Sequence, residues 1–170
     1  MERAWILIGM MGVGKSTIGS ILAEQTHRPF HDTDRMLVHR LGRPIPQLFQ
    51  IYGESTFRDH ETAILKTLEP GPQVISTGGG IVLREANWDL MRALGSIIYL
   101  HVPFEILVNR LAASRKRRPL LQVENVEERI QSILDAREPL YAKADLAVEL
   151  GDMNAEQAAT HLREILVPAP

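Results

Sequence analysis

Hydrophobic positions along this chain fall into short, nearly continuous runs that alternate with longer segments of helical spacing. The short runs predict five β-strands, at Arg3–Gly9, Phe30–Thr33, Gln73–Thr77, Ile97–Val102 and Asp145–Leu150. The first, third and fourth runs are apolar at almost every position, which is typical of strands covered on both faces. The longer segments predict eight helices, at Lys15–Thr26, Asp34–Leu41, Ile45–Ile51, Ser55–Leu68, Arg84–Leu94, Phe104–Ala113, Val126–Leu140 and Asn154–Leu166. This alternation predicts an α/β fold with a parallel sheet and helices on both faces.

The composition narrows the class of protein. The 170 residues include no cysteine, which excludes a disulfide scaffold, a thiolate metal site and a cysteine nucleophile. A formal net charge of −2 argues against a nucleic-acid partner. The apolar run from Trp5 to Met11 is far shorter than the roughly 20 residues that a membrane-spanning helix needs, and it lacks the features of a signal peptide. We therefore expect one cytoplasmic domain over residues 1–170, with no membrane partner.

The segment after the first strand carries the strongest chemical signal. Residues 9–16 read Gly-Met-Met-Gly-Val-Gly-Lys-Ser and satisfy the pattern G-x-x-x-x-G-K-[ST] at every fixed position. Glycines let backbone N–H groups curl around a phosphate, and the N-terminus of the next helix adds its own donors and dipole. Lys15 is expected to reach the β- and γ-phosphates, and the Ser16 hydroxyl to coordinate Mg²⁺. The motif predicts a nucleoside triphosphate site and leaves kinase, ATPase and GTPase open.

Two carboxylates, Asp32 and Asp34, lie at the end of the second predicted strand. Alternation along a strand would put both on the same side, facing the ligand crevice at the carboxyl end of the sheet. One could then hold a hydrated Mg²⁺ while the other accepts a proton from an attacking hydroxyl. The alternative is a local role, as a helix N-cap followed by an acid in the first turn. In a chain that also carries the phosphate-binding motif, the two carboxylates favour a kinase that acts on a small alcohol.

Arginine makes up 15 of the 19 basic residues, which either favours bidentate anion binding or reflects codon usage. Arg137 lies at the centre of an apolar stripe on its helix and needs an anionic partner. That partner is a carboxylate or phosphate of a ligand, or an Asp or Glu of the chain. Arg58 has Glu54 four residues before it and Glu61 three residues after it, so a surface ion-pair face is an alternative to a ligand pocket.

Two further segments are positioned to meet a ligand. Gly78–Gly80 directly follow the third strand, where bare backbone could approach the contents of the crevice or form a plain flexible turn. The basic segment Ser114–Asn125 lies between two helices, which is typical of a mobile lid that closes over a triphosphate or of a solvated loop. Arg118, next to Pro119, could aim at the transferring phosphoryl group.

Together these segments resemble the shikimate kinase family, in the same order, from Trp5 to Asp145. The resemblance rests on the phosphate loop and on five more blocks, namely Asp32-Thr33-Asp34, Gly53-Glu54 with Phe57-Arg58 and Glu61, Gly78–Gly80, Arg118-Pro119-Leu120-Leu121, and Arg137 with Tyr141. It implies a three-layer P-loop NTPase fold, a five-stranded parallel sheet in the order 2-3-1-4-5 flanked by helices, and a mobile lid at about 112–125. It also implies transfer of the γ-phosphate of ATP to the 3-hydroxyl of shikimate by a monomer, with Mg²⁺ as cofactor.

The same resemblance assigns roles to individual residues. It implies Asp34 as the base, with Lys15 and Arg118 acting on the phosphates. The implied shikimate site, in the segment of about residues 34–61 and beyond it, comprises Asp34, Phe49, Phe57, Arg58, Glu61, Gly80 and Arg137, with the arginines on the carboxylate. The implied nucleotide site comprises Gly12, Val13, Gly14, Lys15, Ser16, Thr17, Arg110 and Arg118, with Arg110 beside the adenine. Mg²⁺ is implied at Ser16, with Asp32 acting through water.

Three other interpretations are distinguishable by their residues. A different small-molecule kinase of this fold, such as a gluconate kinase, lacks the Gly-Glu-x-x-Phe-Arg block. A catalytically inactive relative would have lost Lys15, Asp34 or an arginine, and all are present. A regulatory nucleotide switch would not need Arg58 and Arg137 as a pair.

Overall fold

The computed structural model of the chain describes residues 3–112, 121 and 124–167. In this part of the chain, five parallel strands form one sheet in the order β2-β3-β1-β4-β5. The strands are β1 (Ala4–Ile8), β2 (Phe30–Asp32), β3 (Val74–Ser76), β4 (Gly95–His101) and β5 (Leu146–Glu149). The helices are α1 (Lys15–Gln25), α2 (Thr33–Leu41), α3 (Ile45–Leu65), α4 (Glu85–Leu94), α5 (Phe104–Ala112), α6 (Val126–Tyr141) and α7 (Ala155–Leu166), and a 3-10 turn spans Ile81–Leu83.

This architecture confirms the predicted fold class and the strand order. Each predicted strand is present within two residues of its expected bounds, although the helix expected over Ser55–Leu68 ends at Leu65. The predicted lid falls mostly on residues 113–120 and 122–123, which lie outside the described residues, and Arg118 lies there as well. Among the residues that the structure describes, no helix is long and apolar enough to cross a membrane.

The central strand β1 is buried on both faces, as its continuous apolar run predicts. Trp5 and Leu7 pack in one cluster with side chains of α1 and α7, while Ile6 and Ile8 pack on the opposite face against Trp88 of α4. Full burial of one such aliphatic side chain contributes about 1.5–3 kcal/mol, so both helical layers hold the sheet. The carboxyl ends of the strands are thereby fixed at one edge, where the predicted site residues follow.

The expected interruption between the helices at Ile45–Ile51 and Ser55–Leu68 is confirmed at Gly53. Within α3 this residue has φ 74° and ψ 171°, outside the helical region, so α3 is two helices joined at a kink. Glycine adopts a positive φ without the steric cost that a Cβ imposes. The kink separates Leu48 from Phe57, and both pack with Leu37 of α2 in a third cluster. That cluster holds both halves of α3 against α2.

Candidate active site

The loop between β1 and α1 borders a cleft of about 300 Å³ at the carboxyl edge of the sheet. Gly9, Gly12 and Gly14 have φ values of 145°, 85° and 104°, which glycine alone adopts readily. A Cβ on Gly9 would also lie 2.3 Å from the Leu100 carbonyl oxygen, so β4 closes one side of the loop. The cleft is lined by Met11, Gly12, Gly14, Lys15, Ser16, Thr17, Asp34, Thr77, Gly79 and Arg110. Most of the predicted nucleotide residues are therefore brought together.

Lys15 is buried at the mouth of this loop. Its Nζ donates hydrogen bonds to the carbonyl oxygens of Gly9 at 2.8 Å and Met10 at 3.0 Å. Charge-assisted bonds to phosphate oxygens are stronger than bonds to neutral carbonyls. A triphosphate entering the loop can therefore replace these two acceptors, and the loop keeps the ammonium at the place where the phosphates arrive.

Val13 and Arg110 join the other side of the cleft to the protein core. Val13 is buried, and its carbonyl oxygen accepts a hydrogen bond of 2.9 Å from Nη1 of Arg110. Nη2 of Arg110 donates to the Met153 carbonyl oxygen at 3.4 Å. These bonds hold the Arg110 guanidinium beside the phosphate loop, at the rim where the base of a bound nucleotide is expected.

The expectation that Asp32 and Asp34 alternate on one strand is wrong. The strand ends at Asp32, whose Oδ1 accepts a hydrogen bond of 3.0 Å from the Arg35 amide and caps α2. Capping starts the helix at Thr33, so Asp34 lies in its first turn, as the local alternative states. From there Asp34 still lines the cleft.

A small group of polar side chains lies at the N-terminus of α1. The hydroxyl oxygens of Ser16 and Ser76 are 3.5 Å apart, and Ser76 pairs in register with Asp32 across β3 and β2. The Ser16 hydroxyl, the expected Mg²⁺ ligand, therefore adjoins the end of the strand that carries Asp32. Oxygen donors of this kind suit a hydrated Mg²⁺ ion bound mainly through phosphates.

Gly78 lies against two carboxylates. A Cβ at this position would be 2.8 Å from Oδ1 of Asp34 and 2.8 Å from Oε1 of Glu61, so only a bare Cα fits between them. Burial raises the pKa of Glu61 from 4.5 to about 7, which the Arg58 guanidinium opposes and the Asp34 carboxylate reinforces. The backbone N–H of Gly78 donates to Oγ1 of the buried Thr33 at 3.3 Å. The Asp34 and Glu61 side chains thus converge on one point beside the phosphate loop.

Arg58 makes both ion pairs that its spacing predicts, but on a buried face. Its Nη1 lies 2.6 Å from Oε2 of Glu61 and its Nη2 lies 3.2 Å from Oε1 of Glu54. The residue is only 7% exposed, so the surface-face alternative is wrong. Packing of the neighbouring Phe57 in the third cluster turns this side of α3 inward. In the described part of the chain, Nε of Arg58 has no hydrogen-bond partner.

The Arg58 guanidinium also contacts backbone and aromatic rings. A Cβ on Gly80 would lie 2.3 Å from its Nη1, so the glycine lets the guanidinium rest on the backbone. The rings of Phe49 and Phe57 are 4.3 Å apart between centroids, and Cζ of Arg58 lies 5.7 and 5.3 Å from them. The two phenylalanines form an apolar wall next to a cation.

Arg137 is the other buried guanidinium of the site, with 4% exposure. Considering only the residues described, its Nη1 has no hydrogen-bond partner and it forms no ion pair with an Asp or Glu. A Cβ on Gly79 would lie 3.4 Å from that nitrogen. Of the two alternatives for Arg137, the geometry favours a ligand anion over an internal carboxylate.

Gly78–Gly80 therefore form a tightly packed surface rather than a flexible turn. Each glycine faces a different group, namely the Asp34–Glu61 pair, Arg137 and Arg58. Sequence reasoning missed Thr33 and Ser76, which hold this edge together. Their position at or just beyond strand ends is the signal that could have identified them.

The comparisons with known proteins agree with this geometry. The family model for shikimate kinase matches residues 11–167. A shikimate kinase from Cereibacter sphaeroides is 38% identical, with 100% of this chain and 85% of the relative covered, and one from Pseudomonas paraeruginosa is 40% identical, with 97% and 96% covered.

Solved structures show the same likeness. The shikimate kinase from Acinetobacter baumannii in complex with shikimate has a TM-score of 0.91 at 36% identity, with 98% of this chain and 94% of that chain covered. The shikimate kinase from Aquifex aeolicus has a TM-score of 0.79 at 37% identity, with 94% and 93% covered. Motifs, sheet order and full-length similarity all agree: this chain belongs to the shikimate kinase family, whose members are ATP-dependent kinases.

Proposed function

We propose that this chain transfers the γ-phosphate of ATP to the 3-hydroxyl of shikimate, giving shikimate 3-phosphate and ADP. The observation that carries the proposal is the buried Arg137, whose Nη1 lacks a partner within the described residues. A buried cation without a counterion is costly, so the site is built to receive an anion. Shikimate supplies one carboxylate together with hydroxyls, and Asp34 and the phosphate loop lie beside the same glycines.

The acceptor is held by its carboxylate and by an apolar wall. Arg58 and Arg137 bind the carboxylate, because guanidinium and carboxylate pair in bidentate geometry. Glu61 holds Arg58 in place through the 2.6 Å ion pair, and the Gly80 backbone supports the same guanidinium. Phe49 and Phe57 contact the carbon ring of shikimate. The segment of residues 34–61 supplies most of these contacts.

Asp34 orients the 3-hydroxyl and takes its proton. The hydroxyl oxygen forms a bond to the γ-phosphorus while the bond from that phosphorus to the β,γ-bridging oxygen breaks, which releases ADP. Glu61, with its pKa raised to about 7, is partly protonated at neutral pH. The like charge facing Asp34 is thereby reduced, which leaves the Asp34 carboxylate to act as acceptor.

The nucleotide is held by the phosphate loop. Lys15 exchanges its carbonyl acceptors for the β- and γ-phosphates. Ser16 would hold Mg²⁺ directly and Asp32 would hold it through water, and the ion would neutralise phosphate charge. Arg110 flanks the base, and Arg118 is proposed to close on the phosphates from the segment of residues 112–125. In line with the resemblance we also propose a cytoplasmic monomer without a membrane partner, and the net charge of −2 supports the absence of a nucleic-acid partner.

A coupled assay of ADP release tests the proposal. We expect release that depends on shikimate and is much slower with quinate, gluconate or water as acceptor. Lys15→Met is the control that excludes a contaminating kinase, since it removes the ammonium from the phosphate loop and should abolish the release. Release at the full rate with water alone, or with gluconate preferred over shikimate, would refute the function.

A further inference from the structure

Tyr141 connects α6, the helix that carries Arg137, to the segment Gly78–Gly80. It lies at the end of α6, four residues after Arg137 and on the same helix face, and it is completely buried. Its hydroxyl donates a hydrogen bond of 2.9 Å to the carbonyl oxygen of Gly79. The Arg137 guanidinium lies near the same hydroxyl, where its positive charge opposes the rise in the Tyr141 pKa that burial causes.

Gly79 lies between the phosphate loop and Arg137, which is proposed to bind the acceptor. A Cβ there would lie 3.1 Å from the backbone nitrogen of Met11, 3.4 Å from Nη1 of Arg137 and 3.6 Å from the carbonyl oxygen of Gly9. Met11 and Gly9 belong to the phosphate loop, whereas Arg137 belongs to the acceptor side. Tyr141, which holds the Gly79 carbonyl, therefore influences the placement of both the phosphate loop and Arg137.

The Tyr141 ring is itself fixed by the core. It stacks on Tyr99 of β4, with ring centroids 4.8 Å apart and an interplanar angle of 16°. Burial raises the pKa of Tyr141 above its ordinary value, so the hydroxyl keeps its proton at neutral pH and can donate it to Gly79. A buried ring with a neutral hydroxyl is a rigid support, since it has two side-chain torsions and both are restrained by packing.

We propose that Tyr141 is a positioning residue for phosphoryl transfer. Its hydroxyl fixes the Gly79 carbonyl, and because the Arg137 guanidinium lies against Gly79, this bond sets the position of the acceptor relative to the phosphate loop. This inference rests on the proposed binding of the acceptor carboxylate by Arg137. Small displacements of bound reactants are costly for rate, because transfer requires the reacting atoms to be held in a narrow geometry.

The first test compares Tyr141→Phe with Tyr99→Phe. Both remove one hydroxyl from the same stacked pair, but only the first removes the hydrogen bond to Gly79. We expect Tyr141→Phe to raise the KM for shikimate about tenfold and to lower kcat, with the KM for ATP changed by less than about twofold. Tyr99→Phe should leave all three constants within about twofold. Loss of stability alone, measured by urea unfolding, with unchanged kinetic constants would overturn the positioning role.

A double-mutant cycle with Arg137→Gln separates this inference from the proposed function. If Tyr141 acts through Arg137, Tyr141→Phe should change the KM for shikimate by less than about twofold in the Arg137→Gln background. Fully additive effects on KM would overturn the inference. An unchanged KM for shikimate in Arg137→Gln would instead refute the carboxylate assignment. A raised KM in Arg137→Gln, combined with normal constants in Tyr141→Phe, would refute the role of Tyr141 alone.

Gly79→Ala tests the same connection without altering the aromatic core. Its methyl group would press on Met11 and Arg137, whereas a Cβ on Gly71 has no atom within 4 Å among the described residues. We expect Gly79→Ala to raise the KM for shikimate and lower kcat, with Gly71→Ala unchanged. Normal constants in Gly79→Ala would show that the position of this segment does not govern transfer, and this measurement decides the question even if Tyr141→Phe does not fold.

Discussion

Glu61 couples the stability of this protein to pH. Its side chain is almost completely buried beside Arg58 and Asp34, and burial raises its pKa from 4.5 to about 7. Each pH unit between the folded and unfolded pKa corresponds to about 1.4 kcal/mol, so this rise corresponds to about 3 kcal/mol. We therefore compare the wild-type chain with Glu61→Gln, which keeps a hydrogen-bond acceptor for Arg58 but cannot ionise.

The sign follows from which state binds the proton. Below pH 4.5 Glu61 is protonated in both states and its ionisation contributes nothing. Between pH 4.5 and about 7 the folded chain holds a proton that the unfolded chain has lost, so the wild type loses stability as pH rises. Above about pH 7 the wild type has lost the full amount of about 3 kcal/mol in its free energy of unfolding. Relative to the wild type, Glu61→Gln should gain about 3 kcal/mol between about pH 4 and pH 8.

Urea unfolding of both chains at a series of pH values measures this difference, because the other titrating groups are common to both. Glu54→Gln is the matched control, since it removes the exposed partner of Arg58, where solvent screens the charge and the ion pair contributes little to stability. A relative stability of Glu61→Gln that changes by less than about 1 kcal/mol over the series, or that falls with pH, would refute the reasoning.

Three further substitutions test the site by steady-state kinetics. Asp34→Asn should lower kcat about 10²-fold or more because an amide cannot take the proton of the hydroxyl, and a rate near that of the wild type would remove Asp34 from this role. Arg137→Gln should raise the KM for shikimate at least about tenfold, and an effect confined to the KM for ATP would contradict the carboxylate assignment. Gly80→Ala places a methyl carbon 2.3 Å from Nη1 of Arg58 and should raise the KM for shikimate, whereas Gly71→Ala, with no atom within 4 Å in the described part of the chain, should not.

Local pattern predicted much of the fold. Strand and helix order, the break at Gly53 and the turn into α1 depend on hydrophobic period, glycine and the phosphate-binding motif, which act over a few residues. The order of strands in the sheet came from the resemblance, because spacing along the chain does not specify which parallel strands become neighbours. The alternation argument for Asp32 and Asp34 was wrong because capping ended the strand one residue earlier than expected.

The amino-acid sequence by itself determined the phosphate loop, the inward position of Arg137 and the family to which the chain belongs. It placed Arg137 on the inward face of its helix and put Glu54 and Glu61 within reach of Arg58, but it left open the partner of Arg137 and whether the face of Arg58 is buried. Only the tertiary structure decided that the Arg58–Glu61 pair is buried and that Arg137 adjoins Gly79. The physical reason is that the burial of this face of α3 and the approach of α6 to Gly79 depend on how the helices pack on the sheet, which local spacing along the chain does not specify.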